Sequence, residues 1–395
     1  MAQTATPIND SIFHDGVYRK YVLYVPAIYN PADSVPLILN IHGGSGDGYQ
    51  HMQFGDFRPI ADTANFIVVH PTAMMGAGLL GSAPAPSWNL NANDSASNSD
   101  RAFLYNLIDT LRAQYNIDTN RIYSAGFSQG GVMGYSFACL NNTRFAAIAS
   151  VSAGMFPDVY NICSPTRPTP VIEIHGTSDP ISNYDGAASA FGTPPSKPVD
   201  TVIIFWVNYN NCNPTPTIIN IPNAVTSDNS TVEHYIYSGG DSSSSVELIK
   251  VIGGGHSWPS DVATGGTTNM NNSPMQVGNR NMDFNACKEI WRFFCRHPFI
   301  EYPAVPPTGV ANQTPGDNLI SVYPNPSNGS FVLSVELVEP DTRVQLINLL
   351  GETIFQKSIT ESHTPISLEK LTSGVLLYTV INNHGVVKSG KIIIR

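Results

Sequence analysis

The sequence predicts an α/β domain followed by a small all-β sandwich, and three observations carry that prediction. Extended apolar segments alternate with helical ones from residue 18 to about 298, which is the pattern of a sheet covered by helices. Residues 303–318 (PAVPPTGVANQTPGDN) have no periodicity and are dense in Pro, Gly and polar residues, so they read as a linker. From Leu319 onward only short alternating runs occur, such as FVLSVEL, RVQLINL, LLYTVIN and GKIIIR, as expected of a small sandwich. The expected domains are therefore 1–302 for the α/β part, 303–318 for the linker and 319–395 for the β part.

Within the first domain the expected strands are Tyr18–Val25, Pro36–Ile41, Phe66–His70, Arg121–Gly126, Ala146–Val151, Pro170–His175 and Val246–Val251. A helix is expected over Asp100–Tyr115, where Phe103, Leu107, Ile108 and Leu111 share one face behind an Asp cap. Phe284–Phe294 repeats the design with Ile290, Trp291 and Phe294.

Composition narrows the function classes. A net charge of −10 opposes binding to phosphate backbones, and no Lys/Arg cluster offers a local exception, so nucleic acid is not an expected partner. No apolar run approaches the roughly 20 residues a membrane-spanning helix needs. Only 13% of residues are charged, against 32 Gly and 30 Pro, a composition of turn-rich proteins that work outside the cell. The chain opens on MAQTATPIND without a basic-then-apolar leader, which reads as a mature form with an added start. Five cysteines (Cys139, Cys163, Cys212, Cys287, Cys295) form no metal-ligand spacing, so one or two disulfides and a leftover thiol are expected. Cys139 ends one helix and Cys163 follows the next strand, which makes them the expected pair.

Gly126-Phe127-Ser128-Gln129-Gly130 is the only GxSxG in the chain, and it falls where the strand RIYSAG gives way to the helix QGGVMGYSFACL. A serine on such a sharp turn is pushed out of the sheet, and glycines on both sides let strand and helix approach closely. Ser128 is therefore a candidate nucleophile, the alternative being an ordinary turn serine. A hydroxyl needs a base to take its proton and an acid to orient that base. Asp179, just beyond one strand, and His256, just beyond the next strong one, supply them in the order Ser, Asp, His, the alternative for an Asp before Pro180 being a helix or turn cap. The negative charge of a tetrahedral intermediate calls for two backbone N–H groups, assigned to Gln129 and to Gly44 in LNIHGGSGDG, with Ser45 as neighbour.

His42 and His175 end strands before Gly and, with His256, suggest a three-histidine metal site; hydrogen bonding to loop backbone is the better reading, so no metal and no cofactor are expected. The acidic stretch Asp94–Asp100 lacks the Gly and distal Glu of a calcium loop and is expected to cap a helix. Trp88 and Trp258 lie in loops where an aromatic face could hold a sugar, a phenolic ring or a polyester segment, against rim packing as the alternative.

These residues together resemble the polyhydroxybutyrate depolymerase and feruloyl esterase group of secreted α/β-hydrolases. The resemblance spans about residues 18 to 298 and rests on IHGGSG, YNIDTNRIYSAGFSQGG, IHGTSDPISNY, FWVNYNNC and GGGHSWP. It implies an α/β-hydrolase fold and a serine esterase that works through an acyl-enzyme on feruloyl or acetyl polysaccharide esters, polyhydroxyalkanoate or aromatic polyesters. A non-catalytic adhesin or carbohydrate-binding protein on a hydrolase scaffold, and a serine peptidase, remain the alternatives. The final segment resembles a type IX secretion sorting domain, through VYPNPSNG at Val322–Gly329, LINLLGE at Leu346–Glu352, LTSGVLLYTV and the terminal KIIIR. That resemblance implies type IX secretion machinery as a partner and a secreted or outer-membrane surface-attached protein, with carbohydrate binding by the sandwich as the alternative.

Overall fold

The computed structural model describes residues 5–76, 84–92, 95–140, 142–189, 192–261 and 276–299, and then 320–394 apart from 324, 326, 336–337, 339, 349–352, 369–373 and 384. The expected linker, 303–318, lies outside the described residues. Two compact units result, Met1–Glu301 and Tyr302–Arg395.

The first unit is built on one ten-stranded sheet. Its strands in chain order are β1 (Ile8–His14), β2 (Val17–Tyr24), β3 (Val35–Ile41), β4 (Ile67–Pro71), β7 (Ile117–Phe127), β8 (Ala147–Val151), β9 (Val171–Gly176), β10 (Thr217–Ile221), β11 (Thr231–Tyr237) and β12 (Val246–Ile252); β5 (Met75–Gly76) and β6 (Ala85–Pro86) form a separate ribbon. Across the sheet the order is β1-β2-β4-β3-β7-β8-β9-β12-β11-β10. The six central strands, β4 to β12, pair in parallel, and antiparallel pairs flank them on both sides. All seven residues of β3 and all five of β8 are buried, because helices cover both faces of the parallel strands.

Period-two alternation sorts side chains between those faces. Ile38, Val68, Ala125 and Ile249 pack on one side with Ile290, Phe293 and Phe294 of α7 (Ala286–Cys295). Leu37, Leu39, Ile67 and Val69 pack on the other with Phe103, Leu107, Ile108 and Leu111 of α3 (Ser95–Gln114). Each fully buried large apolar side chain contributes about 2 kcal/mol. The Cys139–Cys163 disulfide joins the end of α4 (Gln129–Leu140) to the residue after α5 (Pro157–Ile162); Cys212, Cys287 and Cys295 are free.

Asp100 departs from expectation. It lies inside α3 rather than ahead of it, and its buried carboxylate binds Arg19 at 2.8 Å and the Asn89 N–H at 2.9 Å instead of capping the helix. Of the stretch 94–100, position 94 lies outside the described residues.

In the second unit a three-stranded sheet (Ile320–Tyr323, Ser330–Val335, His363–Ser367) and a four-stranded one (Arg343–Ile347, Thr353–Ser358, Gly374–Asn382, Gly385–Ile394) share one apolar core. Phe331 and Leu333 come from the first sheet, and Val344, Leu346, Val380 and Ile392 from the second.

Candidate active site

Strand β7 ends at Phe127 and α4 begins at Gln129, which leaves Ser128 alone on the turn with φ 53°. That left-handed backbone disfavours a residue with a Cβ, so neighbours must hold it. Ser128 donates its N–H to Val151 O at 2.9 Å, and its carbonyl accepts from Gly131 at 2.9 Å and Val132 at 3.1 Å. The flanking glycines are needed for space. A Cβ on Gly126 would lie 2.2 Å from the Gly130 carbonyl carbon, and one on Gly130 would lie 2.1 Å from Ile41 O. Because the atom met is backbone in both cases, Gly130→Ala is expected to destabilise the first unit by more than about 3 kcal/mol and to abolish turnover. Chemical denaturation checks this, and wild-type stability in the variant would contradict it.

Asp179 and His256 follow β9 and β12, which are parallel neighbours. Their loops are stitched together: Ser178 N–H donates to Gly254 O and Gly253 N–H to Thr177 Oγ1, both at 2.9 Å. Gly255 has no room for a side chain, since a Cβ there would meet Val277 O at 2.3 Å. His256 Nδ1 lies 2.8 Å from Asp179 Oδ2, and both side chains are fully buried. A carboxylate only accepts, so Nδ1 carries the hydrogen and the neutral ring leaves Nε2 bare. Nε2 is buried and makes no hydrogen bond among the described residues. The His256 ring packs 4.9 Å from that of Phe127, the residue before the serine, and Ser257 O accepts from Ser152 Oγ at 3.1 Å. Asp179 also performs the turn role: its Oδ1 accepts from the Ile181 and Ser182 N–H groups, each at 2.8 Å. One carboxylate thus grips a turn with one oxygen and orients a histidine with the other.

Ser128, Gln129, Gly44 and Ser152 line one cavity of about 170 Å³, whose apolar wall includes Val132 and Phe156. Gln129 opens α4, so its N–H is among those without an intrahelical acceptor. Gly44 N–H has no acceptor among the described residues, whereas Ser45 N–H is taken by Pro86 O at 2.8 Å. The Gln129 side chain, which sequence reasoning left without a role, accepts the Trp88 N–H at 3.0 Å and exchanges hydrogen bonds with Ser87. A Cβ on Gly44 would lie 2.9 Å from that amide, so a larger residue there would have to push the Gln129 side chain aside.

Both tryptophans, expected as substrate contacts, are buried. Trp258 has no exposed surface; it is surrounded edge-on by His51, Phe54, Phe57 and Phe127, because its loop turns inward beneath the elbow. Trp88 is 3% exposed, and its indole N–H donates to His42 O at 3.0 Å, behind the cavity wall. His42 meets backbone with both nitrogens, Gly43 O at 2.5 Å and Ala73 N–H at 3.0 Å, and burial pushes it down to about 4. His175 meets Glu173 and the Ser182 carbonyl. No cluster of metal-ligating side chains occurs among the described residues.

A mostly parallel sheet with a serine on a left-handed strand-to-helix turn defines an α/β-hydrolase. The chain belongs to the phospholipase/carboxylesterase family, which it matches over residues 34–190, and residues 321–395 match the secretion system C-terminal sorting domain. A bifunctional acetylxylan esterase/xylanase of Neocallimastix patriciarum is 31% identical over 45% of this chain and 24% of its own length. NocK of Nocardia uniformis subsp. tsuyamanensis, which carries an esterase name, is 30% identical over 65% of this chain and 75% of its own. Feruloyl esterase C of Emericella nidulans is 28% identical over 50% of this chain and 64% of its own. The chain thus spans a quarter of the first relative, three quarters of the second and just under two thirds of the third.

Proposed function

We propose that the protein is a secreted serine carboxylic ester hydrolase acting on feruloyl or acetyl esters of plant polysaccharide. The observation that carries this reading is the buried Asp179–His256 pair, whose bare Nε2 sits beside the elbow that presents Ser128. Ser128 Oγ attacks the ester carbonyl while His256 Nε2 takes its proton, and Asp179 stabilises the imidazolium that forms. The N–H groups of Gln129 and Gly44 meet the developing oxyanion. His256 then returns the proton to the leaving alcohol, and water repeats the sequence to release the acid. The substrate class is supported by the acetylxylan and feruloyl esterase names of the relatives.

A panel of p-nitrophenyl acetate, methyl ferulate, acetylated xylan, polyhydroxybutyrate and a peptide amide tests the reading. Turnover of the small ester with feruloyl or acetyl release from polysaccharide is expected. Cleavage of the peptide alone would favour the peptidase alternative, and binding of xylan without turnover would favour the adhesin.

The C-terminal unit serves export by the type IX route, and the mature enzyme is released or held at the outer surface. Every residue given a chemical role lies at or before His256, so a chain ending at Glu301 is expected to keep kcat on p-nitrophenyl acetate within about twofold. Folded but inactive truncated protein would show that the β unit helps build the site; loss confined to insoluble polymer would give it a binding role.

A further inference from the structure

A second acid–imidazole pair lies behind Asp179, and the ester-hydrolysis reading leaves it unused. Glu173 and His175 stand two residues apart on β9, so both side chains leave the same face of the strand. Each is 1% exposed. Glu173 Oε1 lies 2.8 Å from His175 Nδ1, and Tyr135 of α4 donates its hydroxyl to Glu173 Oε2 at 2.8 Å. His175 Nε2 lies 2.8 Å from the Ser182 carbonyl and 3.6 Å from Asp179 Oδ2, which in turn holds His256 Nδ1. Five buried titratable side chains therefore run in one row from α4 to His256. Burying such groups is costly unless each is paired, so the row needs a reason.

Hydrogen-bond chemistry sets where the protons sit. A carbonyl only accepts, so His175 Nε2 carries a hydrogen for Ser182 O. Between Glu173 and His175 one further proton is shared. Burial pushes the Glu173 carboxyl up as well, which favours a proton on the acid, but Asp179 adds a second negative charge on the imidazole side alone, and that places the shared proton on the ring, with both nitrogens protonated. Burial opposes the charge, but the two carboxylates and the Ser182 carbonyl outweigh it and hold His175 above its ordinary value. The other neighbours do not compete for the role. Tyr184 meets the ring edge-on at 5.7 Å, and Lys250 of β12 turns its ammonium over Tyr184 and towards Asp200, which accepts the Tyr184 hydroxyl. Ser150 is the β8 register partner of Glu173.

We propose that His175, kept as an imidazolium by Glu173, is a positioning residue for the Asp179–His256 pair, an inference that rests on reading those two as acid and base. Its Nε2 hydrogen bond fixes the turn whose Ile181 and Ser182 N–H groups grip Asp179 Oδ1. Its charge, 3.6 Å behind Oδ2, offsets the negative charge of the acid while His256 carries the serine proton.

His175→Gln keeps a donor for Ser182 O but cannot be charged, and Glu173→Gln removes the counter-charge. In the full chain each is expected to lower kcat on p-nitrophenyl acetate about tenfold or more with KM within about twofold. The acid limb of kcat/KM is expected to move to higher pH by about half a unit, because a like charge no longer opposes protonation of the pair. Histidine-selective ¹⁵N NMR of the unaltered chain gives a readout that needs neither turnover nor a variant: one imidazole should remain doubly protonated at pH 8. No such ring at pH 8, or kcat within twofold of wild type in both folded variants, would overturn the proposal. Its failure is distinguishable from failure of the esterase reading, because the spectrum can be recorded on Ser128→Ala, whose turnover tests that reading separately.

Discussion

Ser128→Ala and His256→Ala are each expected to lower kcat on a small ester by about 10⁴- to 10⁶-fold, and the double variant is expected to lose no more than the worse single one. The loss is large because a neutral hydroxyl attacks poorly unless Nε2 removes its proton during attack. It is not additive because nucleophile and base act in one step; once either is gone the other has nothing to act with. The residual rate belongs to the oxyanion donors and the cavity, which neither change touches. Stability should be kept in Ser128→Ala, since the hydroxyl makes no bond on which the elbow depends: the contacts that hold the turn come from the Ser128 backbone. Steady-state kinetics beside thermal unfolding separates the two effects. Losses that multiply in the double variant would mean that Ser128 and His256 act independently, and the acyl-enzyme mechanism would have to be abandoned.

Glu247→Gln is expected to cost about 3 kcal/mol of stability at pH 7, with the difference roughly halved at pH 3. Glu247 is fully buried on β12, where it accepts from His234 Nε2 at 2.7 Å, Arg292 at 2.6 Å and Arg296. Burial pushes its carboxyl up, but the histidine hydrogen bond and the two guanidinium groups win and hold it down at about 2. A depressed carboxyl stabilises the fold fully above its unfolded value of roughly 4.3 and loses that contribution as pH falls towards the folded value. Glutamine keeps the shape but leaves two arginines facing a neutral amide. Denaturant unfolding at pH 7 and at pH 3 measures both numbers. A difference that stays constant between those pH values would mean that packing, not charge, accounts for the cost. This cluster touches none of the groups assigned to catalysis, so kcat of the folded variant should change little.

The central strands were legible because residues buried on both faces read as continuous apolar runs, as in VPLILNI and AIASV. Of the antiparallel strands outside them, only β2 was. β10 (TIINI) is exposed along four of its five residues, and β1 carries Asn, Asp and Ser, so neither shows a burial pattern until the sheet supplies a neighbour. Helix α6 (Val199–Tyr209) was missed although Val199, Val202, Ile203, Trp206 and Val207 recur at helical spacing, because the apolar run VIIFWV also reads as a buried strand. The candidate site was easier, because GxSxG, GTSD and GGGH punctuate strand ends with glycines that a crossing backbone requires. The burial of the tryptophans was not legible, because position in a loop says nothing about which way the loop folds; Trp258 follows His256 by two residues yet is buried in the core. The Glu173–His175 pair was hidden inside VIEIHG, where polar residues at alternate positions look like an ordinary solvent face until α4 covers them.

The backbone angle at Ser128 has a further consequence, which concerns what evolution can place there. Threonine carries the same hydroxyl and is a conservative replacement on most surfaces. At φ 53°, however, a second branch on Cβ crowds the backbone of a turn that already tolerates an unbranched side chain only under constraint. Cysteine meets no such obstacle. Descendants of this chain can therefore drift from oxygen to sulfur chemistry through position 128, while the route to a threonine hydrolase is closed by the shape of the turn and not by the reactivity of the group.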